Sequence, residues 1–122
     1  MTRWALFKIP WDFKTVKGEP QGFFELVQTW EGESPTLQEL QDIVGGLIQP
    51  VQVDTRWRNR LELRVNSELD LLGDSTGNYF LFQDLYANEE GLMMELPFNA
   101  PASAVVDQFI VGDVAVVFRD DT

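Results

Sequence analysis

The chain has 122 residues, with nine Lys or Arg against twenty Asp or Glu and a formal net charge of −11. It contains no cysteine and no histidine, which excludes disulfides, thiolate nucleophiles, zinc–thiolate sites, a Ser-His-Asp triad and a two-histidine metal centre. An apolar fraction of 44% predicts a folded chain, the length predicts a single domain over 1–122, and no apolar run reaches the roughly 18 residues of a membrane span.

The first segment, RWALFKIPW, alternates and is rich in aromatics, which predicts a strand ended by Pro10. DFKTVKGEPQG carries the breakers of a loop, and GFFELVQTW predicts a second strand pairing back on the first. Trp4, Phe7, Trp11, Phe13, Phe23, Phe24 and Trp30 crowd this quarter. Most are expected in the core, with an exposed aromatic patch as the alternative. Pro10 and Asp12 interrupt the N-terminus too early for a secretory signal, so a cytoplasmic protein is expected.

EGESPTLQELQDIVGGLI predicts the main helix, over about 35–45. It starts with Ser34 before Pro35, or with Thr36 and Glu39 as a capping box. Leu37, Leu40, Ile43, Val44 and Leu47 form its apolar stripe, and Gly45-Gly46 ends it.

QPVQVDTRW and NRLELRV alternate with period two and predict a hairpin of two further strands. NSELDLLGDSTGN predicts one helical turn capped by Ser67 and a polar loop. YFLFQDLY and LMMELPF predict a hairpin pair joined by ANEEG. NAPASAVVDQ predicts a helical turn with Asn99 as cap before Pro101. FIVGDVAVVF predicts the most apolar strand, bent at Gly112-Asp113, and 119–122 a polar tail. The predicted fold class is therefore α+β, one amphipathic helix packed on a mostly antiparallel sheet. A β-grasp-like arrangement is one topology consistent with this order.

Three blocks, TLQELQDIVGGLIQPV (36–51), DLYANEEGLMMELPFNAPA (84–102) and FIVGDVAVVF (109–118), together resemble the domain-of-unknown-function family numbered 3846. They cover about half the chain. The resemblance implies a phage or mobile-element setting, and it brings no reaction, cofactor or catalytic residue with it.

Charge is unevenly laid out. No Lys or Arg lies between Val65 and Phe118, whereas four of the six arginines, Arg56, Arg58, Arg60 and Arg64, share TRWRNRLELR. An acidic field repels nucleic acid and anionic membranes and attracts basic partners, so direct nucleic-acid or membrane binding is not expected. Glu89 and Glu90 have two readings. They are the charged tip of a hairpin, since Asn88 and Gly91 suit a turn, or a functional acidic pair. Arg56, Trp57, Arg58 and Arg60 are either paired within the fold or an interaction surface. Asp74, Ser75 and Asn78 make only a faint ligand loop.

No catalytic residue, metal or cofactor is predicted. The leading expectation is a small acidic, non-enzymatic binding protein that engages a host or defence-system protein, as a host-takeover or anti-defence inhibitor. Its candidate surface comprises Asp84, Glu89, Glu90, Glu95, Arg56, Trp57, Arg58 and Arg60. The alternatives are a small-ligand regulatory module and, third, a carboxylate-dependent enzyme. Self-association is left open.

Overall fold

The computed structural model describes residues 2–12, 15–16, 19–20, 25–71 and 79–120. In chain order the elements are β1 (Arg3–Ile9), β2 (Thr15–Val16), β3 (Glu19–Pro20), β4 (Glu25–Glu31), α1 (Leu37–Val44), β5 (Ile48–Val51), α2 (Thr55–Leu71), β6 (Leu81–Asn88), α3 (Ala100–Val106) and β7 (Val114–Asp120). Five strands form one sheet in the order β4-β1-β7-β6-β5, with every neighbouring pair antiparallel. β2 and β3 pair only with each other, inside the predicted loop. The fold is α+β, as the sequence predicts.

Both faces of the sheet are covered. In β7, Val114, Val116 and Phe118 enter one core while Ala115 and Val117 enter the other. A strand buried on both sides has no polar face, which is why VAVVF is continuously apolar. β1 divides in the same way, Ala5, Phe7 and Ile9 against Trp4 and Leu6.

α1 covers the Trp4 and Leu6 face. Its capping box forms as predicted: the Thr36 hydroxyl accepts from the Glu39 amide, and Glu39 accepts from the Thr36 amide. Gly45, in the left-handed conformation, donates its N–H to the Gln41 carbonyl and ends the helix. Of the predicted stripe Leu40 and Val44 are buried and Ile43 is partly so, while Leu37 and Leu47 are exposed.

The opposite face is covered by α2 and α3, and here the structure departs from the sequence reading. The expected hairpin over 49–65 is absent: β5 ends at Val51, and 55–71 is the longest helix. Trp57, Leu61, Val65 and Leu69 recur every four residues and form its core-facing stripe. The period-two pattern arose because Leu63, an exposed residue, falls between Leu61 and Val65. Asp54 starts the helix: its Oδ1 accepts from the Arg56 amide at 2.8 Å and its carbonyl from the Arg58 amide at 2.9 Å. Ser67 is inside this helix rather than capping a new turn. A sheet with helices on both faces also differs from the single helical layer of a β-grasp-like arrangement.

LMMELPF is not a strand; 89–95 is a succession of turns, and β6 is flanked by β5 and β7. Arg119 and Asp120 belong to β7 rather than to a polar tail, Asp120 being buried opposite Arg3. Among the N-terminal aromatics Trp4 and Phe7 are core, Trp30 is half-buried and Trp11 is exposed. Phe13, Phe23, Phe24 and the 73–78 loop lie outside the described residues.

Candidate functional site

Because 55–71 is a helix, it redistributes the arginines of TRWRNRLELR around its circumference. Arg58 sits over the Phe82 ring at 5.1 Å and Arg60 over the Trp57 ring at 5.1 Å. Arg56 Nε lies 3.5 Å from Asp54, and Arg64 Nε lies 3.8 Å from Glu68, one helical turn on. Every arginine of the segment therefore has a partner within the protein. Trp57 packs partly against the core beneath α2.

The same face of α2 anchors the start of β6. The Asn66 side chain accepts from the Phe80 amide and donates to the Phe80 carbonyl, both at 2.9 Å, imitating a strand partner. Glu62 accepts from the Phe82 amide at 2.8 Å. Asp84 follows a bulge in β6 and shares a groove of about 550 Å³ with Arg58, Phe82 and β5. Burial raises the Tyr86 hydroxyl pKa, and the charge and hydrogen bond of Asp84 raise it further.

At the far end of β6 the quoted sequence blocks meet. Asn88 is buried; its amide donates to the Val44 carbonyl at 3.0 Å, and its Oδ1 accepts from the Glu90 amide at 2.8 Å. The first bond ties the NEEG segment to the end of α1, and the second turns the chain out of the sheet. The Glu89 amide also donates to the Leu47 carbonyl. A β-carbon on Gly91 would meet Val111 Cγ2 at 2.6 Å, and one on Gly112 would meet Leu96 Cδ1 at 2.8 Å. A side chain at 91 would push Val111 aside where the 91–96 turn meets the 111–112 bend, and Gly112 also holds a positive φ of 76°, so both positions favour glycine. Asn99, fully buried, donates to the Ile9 and Gly112 carbonyls and accepts from the Ala102 amide as the cap of α3. The predicted cap is correct, and its two further bonds join the helix start to β1 and the 112 bend.

Glu89 and Glu90 are thus not the tip of a hairpin, since 89–95 forms no strand to pair with β6. Both are exposed at the head of the turn, and Glu95 closes it in the left-handed conformation with φ of 55°. Among the described residues no three Asp or Glu converge as a group able to hold a metal ion.

This compact turn exposes apolar residues. Leu92 is 69% exposed, Met93 84% and Phe109 65%, and Met94 and Phe98 are exposed beside them. Phe98 and Phe109 stack with centroids 5.0 Å apart. Glu89, Glu90, Glu95 and Asp107 are exposed around them. None of the four has an ion-pair partner among the described residues. A groove of about 510 Å³ opens between β5 and this end, walled by Val51, Leu92, Met93 and Phe109 with Gln49, Gln52 and Gln108 along it.

The structure thus splits the predicted surface into two. Glu89, Glu90 and Glu95 lie at the apolar end; Asp84 and Arg58 share the second groove, while Arg56 pairs with Asp54 just before α2 and Arg60 with Trp57 on it. The apolar end is not legible in LMMELPF, which predicts a strand paired with YFLFQDLY. The usable signal was Leu92-Met93-Met94 uninterrupted between acids, which alternation does not produce. No protein-family model, curated protein or solved structure matches the chain. No helix among the described residues is long and apolar enough to cross a membrane.

Proposed function

We propose that this is a small, acidic, non-enzymatic binding protein that engages another protein through the apolar end of its sheet. One observation carries the reading: Leu92, Met93 and Met94 stand exposed on a turn fixed by buried asparagines and close glycine contacts, and Phe98 and Phe109 are exposed as well. Exposed apolar clusters with a polar rim mark interaction sites, and methionines adapt to varied partners. The turn is pre-organised, so little ordering cost falls on association.

The phage or mobile-element setting, and with it a host or defence-system target and a host-takeover or anti-defence role, rests on the resemblance over 36–51, 84–102 and 109–118. The test is capture from host lysate on immobilised protein at low and high salt. A specific partner whose retention weakens with salt is expected, since exposed acids lose their attraction as screening grows. Recovery of no partner at either salt would end this reading.

A further inference from the structure

The apolar end has three conceivable occupants: another copy of the chain, a membrane surface, or a segment of a different protein. Charge decides among them. Glu89 lines the groove, Glu90 and Glu95 belong to the same 89–95 turn, and Asp107 ends α3 two residues before Phe109; all four are exposed and without an ion-pair partner among the described residues. They belong to a stretch, Val65 to Phe118, that has no Lys or Arg. Two copies brought together patch to patch would set four carboxylates against four, and an anionic bilayer would meet the same repulsion. A partner with an apolar stripe flanked by Lys or Arg meets complementary charge at the rim and matching surface at the centre.

The edge strand narrows the mode of binding. Leu47 accepts from the Glu89 amide across the β5–β6 ladder, and the antiparallel register pairs Gln49 with Ala87 and Val51 with Leu85. Inward bonding therefore falls on 47, 49 and 51, while Ile48 and Pro50 direct their backbone groups outward. Pro50 has no N–H to offer there, so the free edge of β5 lacks a donor where an added strand needs one. The missing donor disfavours strand addition at this edge and favours recognition through side chains in the groove.

We propose that this end docks a basic amphipathic segment of another protein, one large apolar side chain of which sits in the groove between Val51 and Phe109. The inference rests on the binding-protein reading and adds the chemistry of the partner. Leu92, Met93 and Phe109 wall the seat. The amides of Gln49, Gln52 and Gln108 have no side-chain hydrogen bond to another described residue and face the ligand's polar groups. The carboxylates of the rim hold the flanking cations, which gives salt-dependent association and fixes orientation.

The probe is an amidated peptide of about 18 residues built only of Leu and Lys in an amphipathic helical pattern. Titrated into isotope-labelled protein, it is expected to shift amide resonances of residues 49–52, 87–95 and 107–111 and to leave unchanged those of Glu25, Glu39 and Asp42, acids that line a separate groove between β4 and α1. Met93→Asp is expected to weaken binding by about tenfold or more, as loss of a central apolar contact does. Glu89→Lys with Glu90→Lys is expected to weaken it similarly and to flatten its salt dependence. Leu63→Asp, on the exposed side of α2, is the control and should leave affinity within about twofold.

Shifts centred on Glu25, Glu39 and Asp42, or equal binding by Met93→Asp, would overturn the proposal. So would a dimer seen by sedimentation and dissolved by Met93→Asp, or tighter binding to phosphatidylserine vesicles than to the peptide. Should peptide binding fail while lysate capture persists, the partner chemistry is wrong and the binding reading survives. Should both fail, both fall.

Discussion

α2 and the end of the sheet formed by 88–112 are both amphipathic, but they are built in opposite senses. α2 turns Leu61, Val65 and Leu69 inward and gives each of its arginines a ring or a carboxylate within the protein. The 88–112 end turns Asn88 and Asn99 inward and leaves Met93 and Phe109 outside. Charge density along the chain therefore marks neither region's role. The arginines each touch a ring or a carboxylate of the protein yet stay exposed, whereas the apolar end has side chains that no described residue covers. A surface available to a partner is one whose groups have not already found their complements at home.

The sharpest way to break this contrast is to remove the polar interior of the second region. Asn99→Ala deletes the cap of α3 and strands the buried carbonyls of Ile9 and Gly112, each within 3 Å of the amide that now satisfies it. We expect a loss of about 4 kcal/mol by urea denaturation, one helix cap plus unsatisfied buried acceptors. Asn99→Asp retains the capping oxygen but neither donor, so it should lose most of the same stability. Wild-type stability in the Asp variant would show that the cap alone matters and that the tie to β1 and the 112 bend is incidental.

The next largest effect separates helix from strand over 55–65. Leu61 is 2% exposed and Leu63 is 65% exposed, so Leu61→Ala should cost about 3 kcal/mol and Leu63→Ala under about 0.5. In the hairpin that the alternation suggests, Leu61 and Leu63 would share one face and the two costs would be alike. This pair also shows why part of the fold was legible and part was not. α1 announced itself through a capping box, an apolar stripe at three- and four-residue steps and a terminal glycine, local chemistry that tertiary contacts did not override. In α2 the four-residue spacing of Trp57, Leu61, Val65 and Leu69 was present too, but Leu63 made a shorter and equally regular pattern visible first. Nothing local distinguishes the two periods; the apolar sheet face waiting opposite does. Asn99 was legible as a cap because capping is local, whereas its bonds to Ile9 and Gly112 link positions 90 and 13 residues away. The Met93 patch was hidden for the same reason: exposure depends on what the rest of the chain leaves uncovered.

The smallest expected effect probes whether α2 is fully at ease with its charges. Burial raises the Glu68 pKa above its ordinary value of 4.5, and the opposing pull of Arg64 is the weaker influence. Ionised Glu68 is thus less comfortable in the folded protein than in the unfolded chain. A carboxyl raised on folding contributes stability below its unfolded pKa, and that contribution disappears as pH climbs through the folded value. Glu68→Gln stays neutral throughout, so at pH 7 it should melt slightly higher than the wild type. As pH falls through the folded value towards 4.5 the wild type regains its proton, and the two melting temperatures should converge. Arg64 is partly exposed and loses only a long, screened contact of 3.8 Å, which costs little. If Glu68→Gln instead melted lower at pH 7, the ion pair would outweigh the burial. The arginine helix would then hold its charges more tightly than desolvation allows, and its contrast with the unpaired acids of the far end would be wider still.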